Sequence, residues 1–379
     1  MNLIRFIKNT IFLFSSFWIW LILKFFKNPP SEEKGKPEIL FLNLGQIGDL
    51  VISSLLFSNE EKLTSLYNCT FLIKKPYYNL FNDYSGDIKI IEVDIKKYKI
   101  NPLYRLIILQ KLNRKGFEKI INLTTGRGPV SEELALIPRA HSRIRTSMDS
   151  RYLGKSYTKL CDKYYNDDFS NGSMNVFEKE LSCIKYLNQA EPIARTQLFI
   201  GSQTQKNVRK LLNEANVFNE FISINPLTDL KTKEWGINNF RSLVELLMTR
   251  MKHDVLLLGT ESQRNKLEEI VEINRNRIHN FAGNTSLLES SAILQFSSLH
   301  IGNDSGFTHI AKSLQTNFIC LLGGGSFDQF FPYNVSEKDN YLYEKLDCFG
   351  CDWNCIHDTV YCMKFSVDDV MKRVNLILS

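Results

Sequence analysis

An α/β protein built of two Rossmann-like halves is what the sequence of 379 residues predicts. Three observations carry it. Short apolar runs alternate with helical patterns twice over, in segments of about 170 residues each, the size of a domain. The loops after those runs collect glycines, aspartates and lysines, where ligands bind in parallel sheets. The composition, 44% hydrophobic and 23% charged, is that of a protein with real cores. A surplus of 47 basic over 41 acidic residues gives a dispersed +6, with no concentrated basic face to argue for nucleic acid. The same numbers exclude disorder, collagen-like repeats and a disulfide-dense miniprotein. A mean hydropathy of -0.19, with one long apolar run, excludes a polytopic membrane protein.

That run opens the chain. In residues 1–28, Ile11–Leu23 carries no charge and is flanked by Arg5, Lys8, Lys24 and Lys27. As a helix it covers about 20 Å, short of the roughly 30 Å hydrocarbon core. No small-residue cleavage site follows, which argues against a removed signal peptide. A membrane-surface or shallow anchor helix is predicted, with Trp18 and Trp20 at the interface; a helix packed on the domain is the alternative. Residues 29–37, PPSEEKGKP, are a linker by composition.

The first half, 38–202, begins with a strand over Glu38–Leu44 and a helix over Asp49–Glu61. Strands at Cys69–Lys74 and Ile88–Val93, a helix at Leu103–Lys115 and a strand at Lys119–Leu123 follow. A helix at Gln203–Asn216 marks the junction. In the second half, 203–345, strands are predicted at Phe221–Asn225, Asp254–Gly259, His300–Ile301 and Asn317–Leu322. Helices are predicted at Gly236–Lys252, Ser262–Asn274 and Gly306–Leu314. Residues 346–379 hold a cysteine cluster and a C-terminal helix, Ser366–Leu378.

Four loops could carry chemistry. After the first strand, Gly45 and Gly48 let the backbone approach a ligand, and Asp49 either complements a helix dipole or acts as a general base. After the first strand of the second half, Lys231 and Lys233 could meet phosphate oxygens, or the loop is solvated around a packed Trp235. In His300-Ile301-Gly302-Asn303-Asp304-Ser305-Gly306-Phe307-Thr308-His309, Asp304 or Ser305 can cap a helix whose free N–H groups form an anion site. The run Gly323-Gly324-Gly325 on a neighbouring strand end completes a pyrophosphate candidate. His309 reads equally as a structural histidine. Finally, Cys348, Cys351, Cys355 and Cys362 have the spacing of a closed thiolate site for structural zinc or iron, with two disulfides or four reduced thiols as alternatives.

Together these motifs resemble glycosyltransferase family 9, the lipopolysaccharide heptosyltransferases. ILFLNLGQIGDLVIS looks like its opening signature, and Lys233-Glu234-Trp235 like its K-x-W element. FAGNTSLLESSAILQFSSLHIGNDSGFTHIAKSL is similar to its most distinctive stretch, and the cysteine cluster ending Cys362-Met363 resembles a tail of many members. The resemblance runs from about Glu38 to the C-terminus, weakly between about 60 and 220. It implies a GT-B fold, two Rossmann-like domains facing a cleft, with the C-terminal helix crossing back to the first. The implied function is transfer of a sugar, heptose from ADP-heptose with inversion, to a lipopolysaccharide or other surface-glycan acceptor. A different donor, or a catalytically silent nucleotide-sugar-binding or scaffold protein, is the alternative.

By position, the resemblance makes Asp49 the base and gives Lys233, Asp304, Ser305, Gly306, Thr308, His309, Gly323 and Gly324 to the donor. Glu261 and Gln263 would lie near the nucleoside, with no cofactor required for catalysis. Phe307-Thr308 replaces the family's usual Pro-Met, and Gln263 stands where some members have a carboxylate for the ribose. On the acceptor side lie Gly45, Gly48, Arg143 and Arg145. The last two belong to residues 139–163, where seven Lys/Arg face Asp149 and Asp162. This stretch is either a phosphoglycolipid contact or a solvated basic face. The expected location is the cytoplasmic face of the inner membrane, with membrane surface, nucleotide sugar and glycolipid or oligosaccharide as partners.

Overall fold

A computed structural model describes residues 35–147, 153, 155–170 and 172–379, together with Phe12, Ser15, Ser16, Trp18, Ile19 and Leu21. The chain divides into two units, Met1–Tyr78 with Ser85–Ala194, and Asn79–Tyr84 with Arg195–Ser379.

The first unit holds six parallel strands: β1 (Glu38–Asn43), β2 (Asn68–Lys74), β3 (Lys89–Val93), β4 (Phe117–Asn122), β5 (Ala140–Arg145) and β6 (Asp167–Asp168). Their spatial order is β3-β2-β1-β4-β5-β6, so the chain reverses direction across the sheet between β1 and β4. Ile39, Leu40, Phe41 and Leu42 are all buried, as a strand covered on both faces requires. The helix Pro102–Lys115 starts at Asn101, whose side chain accepts from Tyr104 N (2.9 Å), with proline at the first helical position. It stops at Gly116, whose φ of 62° needs no Cβ penalty. Its buried Arg105 pairs with Glu133, Nε to Oε2 2.8 Å, and the Tyr98 hydroxyl donates to the same carboxylate at 2.9 Å.

Arg105 also receives the N-terminal segment. Its guanidinium donates to Ser15 Oγ (2.6 Å) and the Phe12 carbonyl (3.2 Å), and lies 3.8 Å from the centre of the Phe12 ring. Phe12 and Ile19 are buried with Leu109, Leu112 and Leu134. These residues pack on the domain, as the alternative to a membrane-surface helix expects, where Arg105 takes its acceptors and its helix presents an apolar face. Trp18 is half exposed. The rest of the 1–28 segment and residues 29–34 of the linker lie outside the described residues. No helix among the described residues is long and apolar enough to cross a membrane.

The second unit repeats the design with β7 (Phe221–Asn225), β8 (Asp254–Leu257), β9 (Ile278–Asn280), β10 (Leu299–Asn303), β11 (Phe318–Leu321) and β12 (Asp339–Leu342). The order β12-β11-β10-β7-β8-β9 places the reversal between β7 and β10. On one face, Ile222, Ile224, Ile301 and Leu321 pack against Phe240, Leu243 and Leu247 of the helix Ile237–Arg250. Val370, Met371 and Val374 of the helix Val367–Leu378 join the same core. The C-terminal helix thus helps build the core of the second unit. Residues 79–84, placed by sequence in the first half, also join the second unit. There Asp83 accepts from Gly201 N (2.7 Å) and Tyr84 packs on Phe199.

Candidate functional site

Each sheet carries its polar cluster where its strand order reverses. In the first unit, Asp49 sits in the first turn of the helix Ile47–Ser53, directly after β1. Its carboxylate folds back over the loop, where Oδ2 accepts from Gln46 N (2.7 Å) and Oδ1 from the Thr125 hydroxyl after β4. A Cβ on Gly45 would lie 2.4 Å from Asp49 Cβ, so the loop closes only with glycine there. Gly48 lies half-buried in the same turn. Asn43 fixes the loop from below, accepting from Gly45 N (2.7 Å) and donating to Ser53 Oγ (2.7 Å), which donates to Glu180 (3.0 Å). Burial pushes the Glu180 carboxyl well up. Lys74, at the carboxyl end of β2, has its ammonium pushed down by burial and pulled back by Asp49.

In the second unit, Lys233 follows β7 and Asp304 follows β10, so the pair straddles the reversal. Lys233 Nζ is 2.7 Å from Asp304 Oδ2, and the carboxylate is 5% exposed. Burial would push this carboxyl up, but the Lys233 ammonium and His309 hold it well below the ordinary range. Ser326 Oγ also donates to Asp304 (3.3 Å), and Trp353 Nε1 to Ser326 Oγ (3.3 Å). Lys233 lies over the Trp353 ring at 5.5 Å. Trp235 is a core anchor: its N accepts no proton but donates to Asn303 Oδ1 (3.0 Å), and Nε1 donates to the Phe365 carbonyl (2.9 Å). The helix Gly306–Ser313 begins at Ser305, whose hydroxyl donates to Asn225 Oδ1 (3.0 Å) and leaves the first-turn N–H groups without a side-chain cap. Those groups and the ammonium together could receive an anion.

Several sequence-assigned positions stand elsewhere. Thr308 is buried behind the site, while His309, also buried, keeps Nε2 3.7 Å from Asp304 Oδ1. Thr308 Oγ1 donates to the Asn303 carbonyl (2.7 Å), and His309 stacks on Phe331 with ring centres 3.8 Å apart. Helical geometry turns only Ser305, Gly306 and Phe307 outward in that first turn. Gly323 and Gly324 do give close approach, but to side chains. A Cβ would lie 2.6 Å from Trp353 at Gly323 and 2.2 Å from Phe349 at Gly324. In the loop after β8, Gln263 Oε1 accepts from Thr260 N (2.9 Å) as a local cap. Glu261 lies so close to Gly283 that a Cβ there would be 1.9 Å from its Oε2. Arg143 donates to the carbonyls of Ala135 (3.1 Å), Leu136 (3.2 Å) and Pro138 (2.8 Å). Arg145 is paired with Asp162 and Asp168. Both guanidiniums are thus engaged within the domain, and Arg151 of the basic stretch lies outside the described residues.

Cys348, Cys351, Cys355 and Cys362 line one small cavity of about 10 Å³ with Trp353 and His357. All eight cysteines are free thiols. Burial pushes the Cys362 thiol up; a Gly324 N–H pulls it down, and the other three cysteines push it further up. Among the described residues, no three His, Cys, Asp or Glu side chains are gathered closely enough to hold a metal ion. The four thiols converge without forming a finished coordination set.

Sequence reasoning missed Lys74, Thr125, Ser326, Trp353 and Glu180. Lys74 alone left a signal, as the charged last residue of the run NCTFLIK. The others reach their partners across the sheet or between loops. It missed, too, the buried ion network in which Arg127 bonds Glu132 (2.8 Å) and Asp162 (2.9 Å) at the ends of β4 and β5.

Residues 108–352 match the family described as glycosyltransferase family 9 (heptosyltransferase). Lipopolysaccharide heptosyltransferase 3 of Escherichia coli is 26% identical over 235 residues, 59% of this chain and 64% of that protein. The chain thus spans a little under two thirds of the length of this curated relative. A glycosyltransferase family 9 structure from Veillonella parvula superposes with a TM-score of 0.71 at 17% identity, over 90% of this chain and 97% of that one. The E. coli ADP-heptose LPS heptosyltransferase II superposes with a TM-score of 0.66 at 16% identity, over 90% and 98%. These likenesses place two six-stranded parallel sheets in the GT-B architecture.

Proposed function

Because the chain belongs to glycosyltransferase family 9, we propose that it transfers heptose from ADP-heptose, with inversion, to a lipopolysaccharide or other surface-glycan acceptor at a membrane surface. The observation that carries this reading is the Lys233–Asp304 pair beside the open N-terminus of the helix Gly306–Ser313, at the reversal of a nucleotide-binding type of sheet. Asp304 orients the ammonium, while the first-turn N–H groups and Lys233 receive the diphosphate. Glu261 is the carboxylate left for the ribose, since the Gln263 oxygen already serves its own loop. In the reaction the acceptor hydroxyl gives its proton to Asp49, and its oxygen bonds to the anomeric carbon. The bond from that carbon to the diphosphate oxygen breaks, and its electron pair leaves with ADP. The charge developing on the leaving group is met by donors already in place.

Nucleotide binding tests this reading. A ligand that binds only the folded protein stabilises it, by about 2.7 kcal/mol at 100 times its Kd. ADP is expected to raise Tm and UDP and GDP to leave it unchanged. A shift with UDP or GDP instead would keep a transferase and replace the donor; no shift with any of them would overturn the reading.

The four cysteines are proposed to close on one structural zinc or iron. Thiolates at this spacing suit either ion, and the donor set would then tie the Phe349–Trp353 loop to the glycine run it packs on. Protein purified under reducing conditions is expected to carry close to one metal per chain and to lose thermal stability with a chelator. Metal-free protein with an unchanged Tm would remove the proposal.

A further inference from the structure

Between Asp94 and Glu118 the chain has seven Lys/Arg and no Asp or Glu. This stretch forms two consecutive helices, Ile95–Ile100 and Pro102–Lys115. Their inner faces bury Tyr98, Leu109 and Leu112. Their outer faces carry large apolar side chains in the open: Ile100 is 81% exposed, Leu103 65% and Ile107 52%. Leu103 and Ile107 are one helical turn apart and share a face. Ile100 lies two residues before that helix begins. Around them stand the exposed Lys96, Lys99, Lys111 and Arg114. An apolar centre flanked by exposed cations is not the surface of a helix that merely faces water.

We propose that this face lies on an anionic lipid bilayer, with Ile100, Leu103 and Ile107 entering the headgroup boundary and the lysines meeting lipid phosphates. Charge selects the occupant: the exposed Lys96, Lys99, Lys111 and Arg114 complement an anionic surface and gain from its potential. Phe12 and Ser15 are held by Arg105 of the same helix Pro102–Lys115, and Trp18 is half exposed. The inference deepens the reading of a lipid-borne acceptor and names the surface that would bring the first unit to it.

The test is co-sedimentation of the full chain with vesicles of phosphatidylcholine alone or mixed with phosphatidylglycerol, in the absence of donor and acceptor. Binding is expected to the mixed vesicles, weaker on neutral ones, and to fall as salt screens the charges. The exposed double variant Leu103→Glu/Ile107→Glu is expected to lower affinity for mixed vesicles about tenfold or more. Lys96→Glu/Lys99→Glu should lower it in the same sense while leaving the apolar centre intact. Both variants should keep the wild-type Tm and the nucleotide-induced Tm shift, which separates this inference from the donor reading: either can fail alone. Wild-type affinity in both variants, or no binding of the wild type to either vesicle, overturns the proposal. Concentration-dependent self-association that the variants abolish, without vesicle binding, overturns it too and makes the face a protein interface. If one pair of substitutions fails to fold, the other decides.

Discussion

Asp49→Asn is expected to slow sugar transfer about 10²- to 10⁴-fold, the contribution of a positioned general base, with the fold intact. The substitution isolates chemistry from structure. Asp49 caps its own loop, accepting from Gln46 N and from the Thr125 hydroxyl. An asparagine keeps an oxygen for the Gln46 N–H and turns its amide toward Thr125, whose hydroxyl can rotate to accept. Alanine would instead leave the Gln46 N–H without its acceptor and remove a helix cap, at about 0.5–2 kcal/mol, mixing a folding effect into the rate. Because the base acts in the chemical step, kcat should fall while the Tm shift with ADP stays that of the wild type. Single-turnover transfer, measured beside Tm, decides between the two roles of this residue. If Asp49→Asn turns over normally, its carboxylate serves only the loop, and the base is another group.

The parts of the fold that were legible are those where the physics is local. β1 and β7 are largely apolar runs because both faces of a parallel strand are covered, and the helix Pro102–Lys115 announces itself by Asn101, Pro102 and Gly116. Of the edge strands β3 was legible, but β6 and β12 were not. β6 is Asp167–Asp168 and β12 is DNYL, half-exposed strands that need neither apolar run nor alternation. Residues 79–84 join the second unit through contacts such as the Gly201 N–H to Asp83 and Tyr84 on Phe199, which leave no mark in composition. In the site, Asp304 and Lys233 were readable because both follow strands. What surrounds them was not, since Ser326 and Trp353 arrive from loops more than 20 residues away in sequence. Gly323 and Gly324 show the same limit from the other side. Glycines at a strand end do mean close approach, but the sequence does not say whether a phosphate or a tryptophan approaches.

Lys233→Ala is expected to weaken ADP binding about 10- to 100-fold, the worth of one charge-assisted hydrogen bond to phosphate. It is also expected to destabilise the protein, because it strands a buried carboxylate. Breaking one partner of a buried pair costs about 3–5 kcal/mol, and Asp304 at 5% exposure qualifies. The two effects separate by pH. In the wild type the Asp304 carboxyl is held below its unfolded value, so its stabilisation is present above the ordinary aspartate range and is lost only as pH falls through the lower folded value. Without the ammonium, burial dominates and moves the carboxyl upward. In the window above the ordinary range the folded variant then binds a proton that the unfolded chain does not, so its stability falls as pH rises through that window. The Tm gap between wild type and Lys233→Ala should therefore be widest at neutral pH and narrow in mild acid. Adding Asp304→Asn to Lys233→Ala removes the stranded charge and should recover much of the lost stability at neutral pH without recovering ADP affinity. A double variant that regains both would show that Lys233 acts on the nucleotide only through the fold. A gap independent of pH would show that Asp304 does not depend on Lys233 for its charge.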